Sequence, residues 1–321
     1  MKLMKHIFQL ATSSVIGLAV FILPATILPV AAQLDEIVVT AERREANLQD
    51  VPVAVTALTP EDFETRQIEN IADLQASVPS ISIATNTGTA SGARIFLRGV
   101  GEDESRPTAD PAVGIYVDGV YLGRQTGALL DLLDLQSVEV LRGPQGTLYG
   151  RNTNGGAIKL TSKRPMPGET FSNVSFAYGD EDHREIKASI NGSLSDNTAY
   201  GIAVLTKNND GHFEQEFNGE DRDLGGKDLA AARFSFFHQT ENGWEIFAAF
   251  DKTTDDSDPI PQTPYKGKIV GGAPHNDIFR VVDSTDYRST VEQQGLTFSV
   301  AGDIGGQYIS QMANGHTGAR R

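Results

Sequence analysis

Few side chains in this 321-residue sequence are spaced for covalent chemistry. The histidines, His6, His183, His212, His238, His275 and His316, include no pair at the spacing of a helical zinc motif. Asp251, Asp255, Asp256 and Asp258 could gather a divalent cation, yet they lack the spacing and terminal glutamate of an EF-hand and read as a solvated loop. Serine, histidine and aspartate occur without a nucleophile elbow, so no hydrolase, metal or cofactor site is assigned. Gly143, Gly146 and Gly150 fit neither the G-x-G-x-x-G pattern nor a P-loop. The chemistry that remains is charge pairing. Arg98, Glu139, Arg142 and Arg151 stand beside glycine turns in apolar stretches, where an unpaired buried charge is expensive and a partner is required. Plain surface arginines are the alternative.

The stretch that must position three of these charges is Ser137 to Pro165, SVEVLRGPQGTLYGRNTNGGAIKLTSKRP. Val138, Val140 and Leu141 form a short apolar strand, which Gly143-Pro144 breaks because proline cannot donate to a ladder. Gly146, Gly150, Gly155 and Gly156 allow positive φ or close backbone approach. A strand resumes from Ala157 to Thr161.

This stretch resembles the plug-domain signature of TonB-dependent receptors. The resemblance implies a small globular plug inside an outer-membrane β-barrel, which binds a scarce nutrient and is rearranged by the periplasmic protein TonB. It also implies that plug arginines pair with acids on the barrel wall, a role that falls on Arg142 and Arg98 here, with Glu139 and Arg151 in the same contact. Gly143, Gly146, Gly150, Gly155 and Gly156 become the plug's turns.

Composition agrees with an exported, non-nucleic-acid protein. A formal charge of -15 and a pI near 4.8 argue against phosphate binding. There is no cysteine, hence neither a disulfide framework nor a thiolate metal site. Met1 to Ala32 reads as a signal peptide: Lys2 and Lys5, an apolar run interrupted by Pro24 and Pro29, then Val30-Ala31-Ala32 before a cleavage bond. Residues 33–50 follow as a TonB-box segment. Asp35, Glu36, Ile37, Val38, Val39, Thr40 and Ala41 combine a β-branched core with charged flanks and resemble the TonB box, which in the family adds a strand to TonB. The same residues could instead form the first strand of the plug.

Residues 51–165 read as one α+β plug. A strand covers Val51 to Ala57; Thr59-Pro60-Glu61-Asp62 starts a helix; a second short helix follows Asn70 from Ile71 to about Ala76. Strands are expected from Ile81 and from Arg94 to Gly99, and Asp118-Gly119 turns a hairpin between Val113–Val117 and Val120–Leu122. Leu129 to Leu133 suggests a short buried helix.

Beyond Pro165 the texture becomes that of an antiparallel transmembrane barrel. Val174, Phe176 and Tyr178 alternate with Asn173, Ser175 and Ala177, and Ile186, Ala188 and Ile190 alternate with Lys187, Ser189 and Asn191. Further strands are expected at about Ala199–Lys207, Leu229–His238, Trp244–Asp251 and Gly295–Gly302. Short and long connections alternate between them, as in outer-membrane barrels. Plugged transporters reach about 22 strands of about 9–11 residues, whereas 156 residues follow Pro165 (321 − 165). Gln307 to Arg321 loses alternation, which suggests a polar tail or a frameshift or early stop near Gly306.

The expected whole is an α+β plug followed by an incomplete antiparallel transmembrane β-barrel over 166–321. Its function would be active uptake of a nutrient such as a ferric siderophore, with TonB and the outer membrane as partners. The barrel would not be transport-competent alone. A soluble periplasmic plug-like module and a secreted hydrolase are the alternatives.

Overall fold

A computed structural model describes residues 38–40, 46–86, 89–103, 109–123, 133–217, 220–261, 279–282, 287, 289–304 and 307–320. Two short strands, β1 (Val38–Val39) and β2 (Ala46–Asn47), pair antiparallel ahead of β3 (Ala54–Leu58). Helix α1 (Pro60–Thr65) begins where the sequence predicts, with Thr59 and Asp62 closing a reciprocal capping box. A 3₁₀ turn over Ile71–Ala76 is capped in the same way by Asn70 and Asp73, and it buries Ile71 and Leu74. Strands β4 (Ile81–Asn86), β5 (Thr89–Leu97) and β6 (Val100–Gly101) form one small sheet. Strands β7 (Val113–Val117) and β8 (Val120–Leu122) meet at Asp118-Gly119, both at positive φ (49° and 82°), as a two-residue hairpin demands. Strand β9 (Leu135–Arg142), the single turn α2 (Gly146–Tyr149) and β10 (Gly156–Ser162) complete the domain.

These elements build a five-stranded sheet, ordered β3-β9-β10-β7-β8, with two apolar faces. Alternation along β9 and β10 sends Val138, Val140, Ile158 and Leu160 to the larger core, where Ile71, Leu74, Ile95 and Ile115 also lie. Leu141, Ala157, Tyr116 and Tyr149 face the other way, and Val39 closes over them. Gly156 has φ 148°, and a Cβ there would lie 2.2 Å from the Leu141 carbonyl oxygen; at Gly155 it would lie 2.8 Å from the Val100 carbonyl oxygen. Gly146 differs from its expected role: it opens α2 without positive φ, and a Cβ would meet nothing within 4 Å. The helix expected near Leu129 and the signal segment lie outside the described residues.

After Pro165 come β11 (Phe171–Tyr178), β12 (Arg184–Ser195), β13 (Thr198–Asn209), β14 (Phe213–Phe217), β15 (Glu220–Leu224), β16 (Lys227–Gln239), β17 (Glu245–Asp255), β18 (Arg280–Val282), β19 (Val291–Ile304) and β20 (Gln307–Arg320). Seven of them form an antiparallel sheet ordered β11-β12-β13-β16-β17-β19-β20. Its six expected strands are all present. The seventh corrects the expectation of six strands with none from Gln307 onward: β20 pairs with β19 from Gln307 to Arg320, because ladder hydrogen bonds need backbone groups and not alternating side chains. Strands β14, β15 and β18 were also not expected, and they form a separate small sheet.

Alternation gives the large sheet two unlike faces. Ile202, Val204, Phe234, Phe250, Leu296 and Phe298 are exposed on one. On the other, Lys207, Arg233, Ser235, Thr297 and Ser299 are buried. No helix among the described residues is long and apolar enough to cross a membrane, which does not bear on crossing by strands.

Candidate functional site: the N-terminal clasp and the seam with the sheet

Glu139 and Lys159 face each other across the β9–β10 ladder, on the side of the domain that carries the smaller core. Their side chains are 4% and 11% exposed, and Lys159 Nζ lies 3.2 Å from Glu139 Oε2. Thr40 completes the cluster. Its backbone N–H donates to both Glu139 oxygens (3.1 and 3.2 Å), its hydroxyl donates to Oε1 (2.8 Å), and its carbonyl accepts from Lys159 Nζ (2.9 Å). The Tyr149 hydroxyl donates to the same carbonyl at 3.4 Å. Two buried charges are thus matched to each other and to the backbone of Thr40.

Of the expected TonB-box residues, Asp35, Glu36, Ile37 and Ala41 lie outside the described residues. Val38 and Val39 are paired with Asn47 and Ala46, and Val39 is fully buried. The described part of the segment is therefore folded onto the domain as a short strand paired with β2.

A second set of charges joins the domain to the large sheet. Arg233 of β16 donates to Asp118 in the β7–β8 hairpin at 2.5 Å, and its other terminal nitrogen lies 3.6 Å from Asp251 of β17. Asp118 also accepts from the backbone N–H and hydroxyl of Ser162 (2.8 and 3.0 Å), so one carboxylate ties β10, the hairpin and the sheet together. Lys207 of β13 lies 2.6 Å from Glu69, which follows α1, and 2.9 Å from Glu185 of β12. The bond from Lys207 holds the Glu69 carboxyl below the ordinary glutamate range, against the opposing effect of burial. Burial pushes the Asp134 carboxyl up despite Lys163 at 3.9 Å. The Arg164 guanidinium sits over the Phe247 ring, 4.6 Å from its centroid.

This seam has the polarity opposite to the one expected: the acids belong to the domain and the bases to the sheet. Glu139, placed by the sequence reading in the plug–barrel contact, pairs with Lys159 and Thr40 instead. Arg151 pairs with Asp110 at 3.9 Å, with both side chains largely exposed. Arg98 is exposed at positive φ, and one of its terminal nitrogens lies 3.6 Å from where a Cβ on Gly143 would be. The Nε of Arg142 is buried with no hydrogen-bond partner among the described residues. Sequence reasoning missed Lys159, Lys207 and Arg233. Each is a base inside a strand that is otherwise apolar or small, the pattern that had singled out Glu139.

The family model for the TonB-dependent Receptor Plug Domain matches residues 47–157. The pesticin receptor of Yersinia pestis is 31% identical over 215 residues, covering 66% of this chain and 31% of that protein. The vitamin B12 transporter BtuB of Vibrio vulnificus (strain YJ016) is 24% identical over 212 residues, 66% of this chain and 34% of its own. Among solved structures, the ferric yersiniabactin uptake receptor FyuA from Yersinia pestis superposes with a TM-score of 0.71 at 22% identity, over 84% of this chain and 41% of that one. The siderophore receptor PiuA from Acinetobacter baumannii gives 0.66 at 19%, over 90% and 39%. The chain spans about a third of the length of the curated relatives it matches. With a plug domain packed on antiparallel strands that resemble the barrel of these proteins, the chain belongs to the TonB-dependent receptors.

Proposed function

We propose that this chain is the N-terminal part of an outer-membrane receptor for TonB-driven uptake of a scarce nutrient, an iron–siderophore complex. On this reading Met1 to Ala32 is a cleaved signal peptide, residues 33–50 carry the TonB box, 51–165 form the plug, and the strands after 165 line it as barrel wall. The observation that carries the proposal is the two-faced sheet: its exposed face is apolar, while its covered face meets the plug through ion pairs. The ferric yersiniabactin and siderophore receptors named above support a ferric siderophore as substrate, and BtuB marks vitamin B12 as the competing class.

TonB engagement then requires an exchange of partners. Val38 and Val39 must leave β2, and Thr40 must leave Glu139 and Lys159, before the segment can add a strand to TonB. Arg98 and Arg142 are proposed as further plug–wall contacts; for Arg142 the support is its buried Nε, which has no hydrogen-bond partner among the described residues. Calorimetry of the full chain with the purified C-terminal domain of TonB tests this. Val38→Pro removes a backbone donor and fixes φ, and should weaken binding by about ten-fold or more. The same change loosens β1 from β2, which alone would strengthen binding, so the direction is diagnostic. Unchanged or tighter binding rejects the box.

A further inference from the structure

The two wall bases at the seam are built alike. Lys207 stands directly across the β12–β13 ladder from Glu185, and Arg233 directly across the β16–β17 ladder from Asp251. Each therefore has an acid on the neighbouring wall strand as well as one on the plug: Glu185 and Glu69 for Lys207, Asp251 and Asp118 for Arg233. The side chains of both bases are about nine-tenths buried, at 11% and 8% exposure. A cation so buried and stripped of its partner is strongly unfavourable.

We propose that these are two shared-cation clips that make the plug's attachment reversible. While the plug is seated, each base bonds a plug acid and a wall acid together. As the plug disengages, the plug acid passes into water and the base stays with its wall acid, so no unpaired charge is left in the wall. The wall acids thus act against retention of the plug, although they bond to the residues that hold it. This rests on the reading of the chain as a receptor whose plug is displaced during uptake.

The two kinds of acid have effects of opposite sign, which a purely structural network would not produce. The chain contains no cysteine, so Ser235→Cys, buried on the same sheet face as Arg233, gives a single reporter of plug opening. The full chain in detergent micelles, at urea concentrations below loss of the β-sheet signal, is labelled with a maleimide. Asp251→Asn and Glu185→Gln should slow labelling by roughly ten-fold, whereas Asp118→Asn and Glu69→Gln should speed it by a similar factor. Wall-acid variants that label faster than, or at the same rate as, the parent overturn the proposal. Should Asp118→Asn fail to fold, the Glu69 and Glu185 pair carries the same test of sign. TonB is absent from this assay, so its outcome is separate from that of the calorimetry.

Discussion

Lys159 and Glu139 illustrate how a buried ion pair constrains what may be changed. Lys159→Met leaves the Glu139 carboxylate buried without its cation and should cost about 3–5 kcal/mol in urea unfolding, while the double change with Glu139→Gln should recover most of that. Gly156→Val drives a Cβ into the Leu141 carbonyl at an unfavourable φ and should lower stability by at least about 3 kcal/mol. Gly146→Ala, in open space at the start of a helical turn, should be neutral or stabilise by up to about 1 kcal/mol. Equal melts for the two glycine variants would remove the distinction. At this scale the sequence announced that Glu139 needed a partner, but it did not identify one. The register that sets Glu139 against Lys159 depends on the path of the chain from Gly143 to Gly155, which is held by backbone bonds from Gly143 to Gly155, Gln145 to Thr153 and Gly155 to Ala112 that no side-chain pattern announces. The same limit explains the inverted polarity of the seam: Arg98 and Arg142 are conspicuous beside their glycines, whereas Asp118 looked like a hairpin residue and nothing more.

Elements with local signals were legible. Thr59 and Asn70 start helical turns as capping residues do, Asp118-Gly119 turns its hairpin, and six alternating strands fall where alternation places them. Elements defined only by pairing were not. Strands β14 (FEQEF) and β15 (EDRDL) are too charged to read as strands, and β20 lies against β19 over fourteen residues with little alternation of its own. The exposed face of the sheet yields a prediction at this scale. Phe234, half-exposed on the apolar face, should tolerate Lys in a sheet that faces water. In lipid vesicles Phe234→Lys should instead destabilise folding by about 2–4 kcal/mol if the residue sits near the bilayer midplane. An effect below about 1 kcal/mol in urea titrations of the vesicle-bound chain would count against a lipid-facing sheet.

Across the whole molecule, two carboxyl groups of the domain respond to acid in opposite senses. The Glu69 carboxyl is held down by Lys207, with Lys187 and His183 adding smaller contributions of the same sign. Its folded state therefore binds fewer protons than its unfolded state, whose value is about 4.3. The stability it contributes is present above that value and is lost as pH falls through the lowered folded one. Asp134, raised by burial, acts the other way: its protonated form is favoured in the folded chain, so its unfavourable contribution grows as pH rises through its unfolded value. Between pH 5 and 3 the parent should lose plug protection from hydrogen exchange around Glu69, and Glu69→Gln should show a smaller change; identical profiles would dismiss the Glu69 contribution. The small sheet at the far end of β13 and β17 matters on the same scale. Strand β14 lies between β15 of its own connection and β18 of the next, with Arg280 set 3.9, 3.4 and 3.2 Å from Glu214, Glu216 and Asp221. These two loops are consequently one cassette for recombination: a chimaera that carries residues 213–224 of this chain into a relative without residues 280–282 would inherit an open strand edge and a carboxylate cluster shorn of its counter-ion.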